Sequence, residues 1–331
     1  MKVLVTGGGG FLGGAIARML RERGDEVRSF SRGTYPELAA LGVEQFRGDL
    51  DNAAAVAAAT QGCELVLHVA AKAGIWGDYR DFYRANVTGT ENVIAACRRH
   101  GVSRLVYTSS PSVVFDGRDV EGGDESLPYP TSYAAHYPAT KAMAERLALA
   151  ANSPELAVTA LRPHLIWGPG DNHLVPRIVE KARAGRLRRI GTRTNLVDTV
   201  YVDNAARAHL QAADRLAPQS VVAGKCYFIS NGEPLPLWEM VNRILAAADL
   251  SPVTRSVPPW LAVALGATCE SLWSLLRLDG EPPMTRFVAH ELASAHWFDI
   301  GAARRDFGYA PEITIDEGML RLRDWLQKSP A

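Results

Sequence analysis

The chain has 331 residues, enough for one large domain or for a domain with a smaller lobe. Its 36 lysines and arginines are balanced by 36 aspartates and glutamates, so charge gives no reason to expect nucleic acid as a partner, and a small molecule is the expected ligand. The four cysteines lie far apart without a CxxC pair, and the first residues, MKVLVTGGGG, leave no room for a signal peptide, so we expect no metal site, no disulfides and a cytoplasmic location.

Short runs rich in valine, leucine and isoleucine alternate with longer helical patterns through the first half of the chain. In chain order, the predicted strands cover residues 2–6, 26–30, 43–47, 65–69, 104–108 and 157–162. The predicted helices cover residues 12–23, 52–60, 83–100 and 137–151. Such alternation is typical of βαβ units, and the continuous apolarity of the strands indicates burial on both faces. The pattern therefore predicts an α/β fold, a doubly wound parallel sheet of the Rossmann type, with a smaller C-terminal substrate lobe.

The regular alternation weakens after about Trp167. We place a cofactor-binding Rossmann domain at residues 1–166, to which some later segments return, and a mainly substrate-binding lobe at 167–331. The lobe includes a basic segment, KARAGRLRRIGTR, and an apolar stretch at 257–278 that contains Glu270 and Arg277. Because a spanning helix needs about 20 mainly apolar residues, we interpret this stretch as an amphipathic helix. Whether it touches a membrane is left open.

The strongest local motif is TGGGGFLG, residues 6–13, which directly follows the first strand and opens the first helix. Gly7 permits a tight turn, Gly10 lets backbone amides approach a pyrophosphate, and Gly13 allows the helix to pack against the sheet. Phe11 and Leu12 begin the helix, whose N-terminus favours an anion. The motif predicts a dinucleotide site.

The end of the second strand determines the choice of cofactor. A carboxylate there would bind the ribose 2′-hydroxyl of NAD, but Ser31 occupies that place. Arg32 follows with a guanidinium that can pair with a 2′-phosphate, and Arg28 is a second candidate for this role. These residues favour NADP(H).

Two further turns belong to the predicted cofactor site. Asp49, followed by Leu50, can accept a hydrogen bond from the adenine amine. Ala70 and Ala71 end the fourth strand near the ribose. Taken alone, each of these is an ordinary turn.

Tyr137 and Lys141 are four residues apart in a helical pattern, so they share one face of the helix. A phenol has a pKa near 10, and an adjacent ammonium lowers that pKa by stabilising the phenolate. Tyr137 is therefore predicted to be the general acid or base, and Lys141 is predicted also to bind the nicotinamide ribose.

The fifth strand ends in Tyr107-Thr108-Ser109-Ser110, at the edge of the sheet where such folds bind ligands. A hydroxyl there can polarise a substrate carbonyl, and we assign this role to Ser110, with Ser109 as the alternative. Asn86 is interpreted either as a support for the central helix or as an ordinary amide within it.

Seven segments in this order, TGGGGFLG, GDL, HVAA, NVTGT, YTSSPSVVFDG, YPATK and LRPHLIWGPGD, resemble the extended short-chain dehydrogenase/reductase superfamily. Over nearly the whole chain, including EPPMTRF and HWFDIGAARRDFGYAP, the sequence resembles the branch of 3β-hydroxysteroid and sterol-4-carboxylate dehydrogenases. It is most similar to the bacterial reductases of long-chain olefin biosynthesis, through AAKAGIWG and YFISNGEPLP. The resemblance adds Pro163, in LRPHLIWGPGD, to the cofactor-binding residues.

The resemblance to these reductases implies that NADPH delivers a hydride to the 3-keto group of a long-chain 2-alkyl-3-oxoalkanoic acid, with Tyr137 protonating the oxygen. Such a substrate needs an apolar cavity and a cationic anchor, for which Arg177, Arg193 and Arg286 are candidates. The resemblance also implies a homodimer packed through the helices at 86–99 and 137–150, and it leaves open an assembly with other enzymes of the olefin pathway.

Two alternatives are kept. The same residues would serve a hydroxysteroid or sterol-4-carboxylate dehydrogenase, and a sensor that binds NADP(H) without turnover would use the same fold. His164 and His173 flank LIWGPGD, but neither has a second ligand at metal spacing, so neither is assigned to catalysis.

Overall fold

The computed structural model of the protein describes residues 1–328. The strands β1 to β15 are, in order, Lys2–Thr6, Glu26–Ser31, Glu44–Arg47, Leu65–His68, Arg104–Thr108, Val120–Gly123, Ala157–Pro163, Ile166–Trp167, Arg189–Ile190, Leu196–Val197, Val200–Tyr201, Cys226–Ile229, Leu235–Pro236, Ser256–Val257 and His296–Phe298. The helices α1 to α13 are Phe11–Glu22, Pro36–Ala40, Ala53–Thr60, Tyr79–Phe82, Gly89–His100, His136–Ala150, Leu174–Arg183, Val202–Arg215, Leu237–Ala247, Pro259–Leu276, Arg286–Ala293, Gly301–Phe307 and Ile315–Lys328. The elements predicted for the first half are confirmed, mostly to within one residue at each end.

Seven parallel strands form the main sheet, in the order β12-β7-β5-β4-β1-β2-β3. Successive residues of β1 face opposite sides: Val3 and Val5 pack with α1 and α8, whereas Leu4 packs with α3, α5 and α6. The strands are thus buried on both faces, and the predicted doubly wound sheet is confirmed. The order reverses between β1 and β4, which creates the crevice where such sheets bind ligands.

The helix predicted at 83–100 begins four residues earlier, at Tyr79, and is divided into three parts. It begins as α4, continues through a π-helical turn at Tyr83–Thr88, and ends as α5. Turns of this kind are rare and are frequently found at functional sites. The sequence pattern was interpreted as a single helix, and the π-helical turn was not predicted.

The smaller sheet has the order β13-β10-β15-β6. Segments are exchanged in both directions across residue 166, since β6 precedes it but joins the small sheet, and β12 follows it but joins the main sheet. The division into domains at 166 and 167 therefore stays a prediction. The stretch predicted to be an amphipathic helix forms α10, and among the helices of residues 1–328 none is long and apolar enough to cross a bilayer.

Candidate active site

The glycine turn joins the end of β1 to the start of α1. Gly7 has a φ of 73°, and a Cβ there would lie 3.0 Å from the backbone of Ala70. The Gly10 amide donates to the Gly7 carbonyl at 2.8 Å, which closes the turn. A Cβ on Gly13 would lie only 2.1 Å from the Gly7 carbonyl oxygen, so the helix can approach the turn only with glycine there. The structure thus brings the three predicted glycines together at a helix N-terminus, where an anion is stabilised.

The other predicted cofactor residues share one location, the carboxyl edge of the main sheet. They are Phe11 and Leu12 at the start of α1, Ser31 and Arg32 at the end of β2, Asp49 and Leu50 after β3, Ala70 and Ala71 after β4, and Pro163 at the end of β7. Asp49 and Ala71 are exposed, whereas Leu50 is buried against Gly89 and shapes the site from behind.

Two arginines lie at the corner formed by β2 and β3. The Ser31 hydroxyl accepts a hydrogen bond from the Gly9 amide at 3.3 Å, so this strand end adjoins the glycine turn. Arg32 follows with an exposed side chain, and its carbonyl accepts a hydrogen bond from Arg47 Nε at 3.0 Å. Arg47 was missed from the sequence because it becomes a neighbour of Arg32 only through strand pairing. Guanidinium groups in this position can meet a 2′-phosphate.

Arg28, the second candidate for this role, lies at the other end of the sheet. Its guanidinium donates to Glu44 Oε2 at 2.7 Å and to the carbonyls of Ala59 and Gln61 at 3.2 and 2.6 Å. Ala59 and Gln61 precede β4 and therefore lie at the amino edge. The suggestion that Arg28 shares the phosphate-binding role is corrected, because β2 carries its side chain away from the glycine turn.

Tyr35 covers the glycine turn. A Cβ on Gly9 would fall 2.0 Å from a carbon of the Tyr35 ring, and the Tyr35 amide donates to Gln45 Oε1 at 2.8 Å. The ring thus lies against the backbone to which a dinucleotide would bind. Sequence patterns gave no sign of this contact.

Tyr137 and Lys141 lie one turn apart on α6, as their spacing predicts. Lys141 is 2% exposed, and its ammonium donates to the Thr108 carbonyl at 2.6 Å and lies 4.3 Å from the centre of the Tyr107 ring. Burial lowers the pKa of Lys141 to about 7, while the charge of Glu145 opposes that shift. Lys141 can therefore release and regain a proton near neutral pH.

Tyr137 is half-buried. Burial raises its pKa above the ordinary value, while a hydrogen bond with Ser110 opposes this increase. The lowered pKa predicted from the sequence is therefore wrong for this arrangement, because the Lys141 ammonium is directed to the Thr108 carbonyl. A phenol with a raised pKa keeps its proton at neutral pH, which suits a proton donor.

Ser110 lies at the start of a short 3₁₀ turn after β5. Its hydroxyl accepts hydrogen bonds from the Ser112 amide at 3.3 Å and the Ser112 hydroxyl at 2.9 Å, so its own proton is left for another acceptor. Ser109 is 4% exposed, and its side chain faces Glu145. The structure thus brings Ser110, rather than Ser109, to Tyr137.

Glu145 and Arg162 form an ion pair behind Lys141, and both side chains are almost completely buried. The Arg162 Nε and Nη2 donate to the two carboxylate oxygens at 2.9 and 2.6 Å, and the Tyr129 hydroxyl donates to the same carboxylate. This bidentate contact fixes a negative charge one helical turn after Lys141. No motif marks the pair, although Glu145 lies at i+4 from Lys141.

A buried chain of hydrogen bonds starts at the glycine turn. Burial lowers the pKa of His68 to about 3, so its ring is neutral. The Thr90 hydroxyl donates to the Asn86 carbonyl at 2.6 Å and therefore accepts from His68 Nε2 at 3.0 Å. His68 Nδ1 is then left to accept from the Thr6 hydroxyl at 2.7 Å. The chain connects the cofactor turn to the helical segment that carries Asn86.

Asn86 joins the loop after β4 to α6. Its Oδ1 accepts from the Lys72 amide at 2.7 Å, and its Nδ2 donates to the Lys72 carbonyl at 3.1 Å and to the Thr140 hydroxyl at 3.0 Å. Thr140 directly precedes Lys141. Of the two interpretations of Asn86, the structure therefore favours the supporting role.

The three arginines considered as substrate anchors are each paired with a carboxylate of the chain. The pairs are Arg177–Glu281 at 2.7 Å, Arg193–Asp119 at 2.6 Å and Arg286–Glu270 at 2.6 Å. All three arginine side chains are exposed. The geometry singles out none of them, because a substrate carboxylate would have to displace a partner from each.

The lobe contributes α11 to the site. Phe287 packs edge-on against Phe115, which follows the Ser110 turn, with ring centres 6.0 Å apart. Burial raises the pKa of Glu291 to about 7, and the charge of Glu291 contributes to the raised pKa of Tyr137. Glu291 therefore lies near Tyr137, a proximity that no sequence pattern indicated.

His164 is buried at the end of β7, where its Nδ1 contacts Asp198 Oδ1 and its Nε2 lies 3.2 Å from His296 Nδ1. His173 has its amide bound by Asp171. Both positions are consistent with structural roles. Within residues 1–328, no cluster of three or more histidine, cysteine, aspartate or glutamate side chains could hold a metal ion.

Comparisons with known proteins cover the whole architecture. The sequence matches the model of the 3-beta hydroxysteroid dehydrogenase/isomerase family over residues 4–258. A 2-alkyl-3-oxoalkanoate reductase of Stenotrophomonas maltophilia (strain K279a) is 56% identical over 325 residues, which are 98% of this chain and 98% of that protein. A decarboxylating sterol-4-alpha-carboxylate 3-dehydrogenase of Mus musculus is 35% identical over 97% of this chain and 89% of its own.

One solved structure shows the same sheet and lobe together. The UDP-glucose 4-epimerase of Thermus thermophilus, in complex with NAD, superposes with a TM-score of 0.75 at 25% identity, and the match covers 100% of both chains. The likeness therefore extends over the glycine turn, the main sheet and the smaller sheet alike.

Proposed function

The chain belongs to the 3-beta hydroxysteroid dehydrogenase/isomerase family, and we propose that it is an NADPH-dependent oxidoreductase that reduces a 2-alkyl-3-oxoalkanoic acid to the 2-alkyl-3-hydroxyalkanoic acid. The observation that carries this proposal is the 56% identity, over 98% of the chain, to a relative named for that substrate. The meeting of Ser110 with Tyr137, one turn from Lys141, supports it, because these groups can polarise and protonate a ketone.

The glycine turn fits the pyrophosphate of a dinucleotide. A Cβ built on Gly10 would have the Gly7 carbonyl oxygen as its only neighbour within 4 Å, among the described atoms beyond Gly10 and the residues next to it in the chain. The outer face of the turn is therefore open to a ligand. The N-terminus of α1 favours the negative charge. Ser31 in place of a carboxylate, with Arg32 and Arg47 beside it, supports NADP(H) over NAD(H).

When bound, the reduced nicotinamide supplies the hydride that the 3-keto carbon accepts. Ser110 donates a hydrogen bond to the ketone oxygen and polarises the carbonyl bond. Tyr137 protonates that oxygen as the electron pair of the carbonyl bond moves onto it. Lys141 holds the ribose and, with a pKa of about 7, returns a proton toward Tyr137. The buried Glu145–Arg162 pair keeps a negative charge near Lys141 and so favours its protonated form.

The proposal also covers the oligomeric state, the pathway and the location of the enzyme. A homodimer would pack through α5 and α6, and the reaction would serve long-chain olefin biosynthesis in the cytoplasm, with assembly of further pathway enzymes left open. The resemblance of the sequence to reductases of that pathway supports these statements.

A hydroxysteroid or sterol-4-carboxylate dehydrogenase is the second candidate. The 35% identity to the sterol-4-alpha-carboxylate 3-dehydrogenase of Mus musculus favours it, and the same three residues would serve both reactions. Both substrate classes present an oxygen on the carbon beta to a carboxylate.

Initial rates distinguish these candidates. NADP⁺ reduction is followed with each of three substrates: a 2-alkyl-3-hydroxyalkanoic acid, a hydroxysteroid and a sterol-4-carboxylate. For the fatty substrate, this direction does not start from the β-keto acid, which decarboxylates spontaneously. NADPH oxidation with freshly prepared keto acid, and the same assays with NAD(H), complete the set. Saturable turnover of the fatty substrate with NADP(H) is expected, whereas turnover of steroids alone would reject the proposal.

A further inference from the structure

Asp198, His164 and His296 form a buried cluster where the main sheet meets the smaller sheet. His164 follows the end of β7, Asp198 follows β10, and His296 begins β15. The exposed fractions of Asp198, His164 and His296 are 1%, 8% and 7%, so their polar atoms must find partners within the protein. We call these three residues the junction triad.

Three hydrogen bonds in series connect the junction triad to α11. His164 Nδ1 lies 2.5 Å from Asp198 Oδ1, and His164 Nε2 lies 3.2 Å from His296 Nδ1. His296 Nε2 lies 3.0 Å from the carbonyl oxygen of Glu291, near the end of α11. The second oxygen of Asp198 accepts from the Phe298 amide at 3.1 Å. The series thus runs from a carboxylate to a carbonyl, with two imidazole rings between them.

The two ends of this series determine how many protons it holds. A carbonyl oxygen can only accept, and so can an ionised carboxylate, so each of the three contacts needs one proton on a ring nitrogen or on the carboxyl group. Two neutral imidazoles carry two protons between them. The junction triad therefore holds a third proton, which makes its net charge zero. A group of zero net charge also costs less to bury than a single uncompensated charge.

The third proton lies on the His164 side of the series. Burial lowers the pKa of His296 to about 4, and the charge of His164 acts in the same direction. A neutral His296 that donates to the Glu291 carbonyl can only accept at Nδ1, so His164 Nε2 donates to it. The third proton is then shared between His164 Nδ1 and Asp198 Oδ1, which form the shortest contact of the series.

Three other titratable groups lie around the junction triad. A backbone hydrogen bond lowers the pKa of Asp119, before β6, and the charge of His296 adds to this effect. Burial raises the pKa of Tyr309, after α12, and the charge of Asp198 adds to this effect. Glu291 lies on α11. The charged neighbours of these groups are Arg193, which pairs with Asp119, and Arg304, which opposes the shift of Tyr309. Of the three groups, Glu291, with a pKa of about 7, is the one that changes charge near neutral pH.

The junction triad packs beside α11 and the active site. The ring of His296 lies edge-on to Phe115, with ring centres 6.4 Å apart, and Phe115 also contacts Phe287 of α11. Glu291, whose carbonyl ends the series, lies near Tyr137. The position of α11 beside the catalytic groups therefore depends on the contacts of His296.

We propose that the junction triad holds a third proton near neutral pH, and that this proton keeps α11 in place beside Tyr137, so that Asp198, His164 and His296 are positioning residues for the reaction. Without the proton, one of the three contacts would have no hydrogen between its two acceptors. The contact between His164 and Asp198 is charge-assisted and therefore the strongest, so the opening would fall at His296, on the side of α11. The positioning role rests on the proposed function, whereas the proton itself does not.

Asp198→Asn tests the proton count. The asparagine amide can donate to His164 Nδ1 while its oxygen accepts from the Phe298 amide, so this variant completes all three contacts with neutral rings. Above about pH 7, where the histidines of an unfolded chain are neutral, folding of the unchanged protein then takes up one proton at the triad and folding of D198N takes up none.

Urea denaturation at a series of pH values measures this difference. Between about pH 7 and 8.5, the unfolding constant of the unchanged protein should rise about tenfold per pH unit relative to that of D198N, and the contribution of Glu291 cancels in the comparison. The matched control is Asp324→Asn, at an exposed aspartate, whose curve should run parallel to that of the unchanged protein. Parallel curves for D198N and the unchanged protein would overturn the proposal.

Proton NMR of the unchanged protein, labelled with ¹⁵N-histidine, covers the case in which D198N does not fold. At about pH 8, a hydrogen-bonded proton is expected on both sides of the His164 ring, toward Asp198 and toward His296. A proton on one side alone would overturn the proposal.

His296→Phe tests the positioning role. Phenylalanine keeps an aromatic ring against Phe115 but cannot donate to the Glu291 carbonyl. In single turnover with NADPH and the keto acid, H296F should react about tenfold more slowly with unchanged affinity for NADPH, whereas D198N should stay within about threefold of the unchanged protein. D198N should also keep its rate to a higher pH than the unchanged protein, a shift that a merely structural role would not produce.

The positioning role is overturned if H296F reacts at the normal rate, or if folded D198N is slowed as much as H296F. It is also overturned if the rates of D198N and the unchanged protein depend on pH in the same way. The expected pH difference in stability, without turnover of any keto acid, would reject the proposed function and leave the proton site intact.

Discussion

Lys141 acquires its pKa and its hydrogen bonding from three neighbours, two in β5 and one in α6. The Thr108 carbonyl accepts from its ammonium, the Tyr107 ring lies beneath it, and Glu145 follows one turn later. Burial alone would favour the neutral amine, and the carboxylate restores part of the preference for the ammonium. The balance leaves a pKa of about 7, so one residue can both bind a ribose and exchange a proton.

At the residue scale, Arg32→Ala should alter the choice of cofactor. The KM for NADPH is expected to rise about ten- to a hundredfold, because a charge-assisted hydrogen bond to the 2′-phosphate is lost. The KM for NADH should change little, since NADH has no phosphate at that position. Steady-state rates with both cofactors measure the effect.

Arg28→Ala is the matched control for this substitution, because Arg28 lies in β2, four residues before Arg32, and its side chain binds at the other edge of the sheet. It should leave the ratio of the two KM values unchanged. Equal effects of the two substitutions would contradict the assignment of Arg32.

At the scale of elements, two neighbouring glycines of α1, Gly13 and Gly14, should respond in opposite directions to substitution by alanine. Gly13→Ala would place a Cβ 2.1 Å from the Gly7 carbonyl oxygen, and this overpacking should cost about 1–3 kcal/mol and weaken NADPH binding. Gly14→Ala would meet the Gly8 carbonyl oxygen at an ordinary 3.5 Å and should stabilise the helix by about 0.5–1 kcal/mol.

Urea denaturation and fluorescence titration with NADPH measure both variants. Opposite signs for the change in the free energy of unfolding are expected. If both alanines were tolerated equally, the close approach of α1 to the turn would be wrong.

Regular elements of the first half could be predicted because local periodicity determines them. β5 begins and ends at Arg104 and Thr108 in both the prediction and the structure. The glycine motif likewise predicted which residues meet at the N-terminus of α1. The π-helical turn around Asn86 was not predicted, because π-helical turns are rare and no motif in this segment marks one.

The parts of the site that depend on tertiary contacts were not accessible to sequence patterns. Arg47 reaches the Arg32 carbonyl through the pairing of β2 with β3, and Tyr35 covers Gly9 across the turn. Glu291 lies more than 150 residues from Tyr137 in the chain, and no spacing rule joins them. The direction of the Tyr137 pKa was also wrong, since it depends on where the Lys141 ammonium points.

At the scale of the whole molecule, the main sheet and its helices carry the glycine turn, Ser110, Tyr137 and Lys141, and α11 of the lobe lies beside them. Glu291 lies at the junction of these two parts, where burial raises its pKa to about 7 from an ordinary 4.5. Between these values the folded chain holds a proton that the unfolded chain has released. The stabilisation from this proton is complete below about pH 4.5 and is lost as the pH rises through 7.

Glu291→Gln should remove this dependence. Relative to the variant, the free energy of unfolding of the unchanged protein is expected to fall by up to about 3 kcal/mol between pH 4.5 and 7. Denaturation at a series of pH values measures the difference, with the exposed Glu233→Gln as the control. Parallel curves for the unchanged protein and Glu291→Gln would contradict a raised pKa of Glu291 at the junction.

Tyr137→Phe, compared with Tyr133→Phe, tests most directly whether this arrangement catalyses a reduction. Tyr133 is a nearby tyrosine whose hydroxyl donates to the Val113 carbonyl, and it has no part in the proposed proton transfer. We predict that Tyr137→Phe binds NADPH normally but oxidises it with the keto acid about 10²–10⁴-fold more slowly in single turnover, whereas Tyr133→Phe reacts at close to the normal rate. Unchanged turnover by Tyr137→Phe would contradict the proton-donor role on which the proposed chemistry depends.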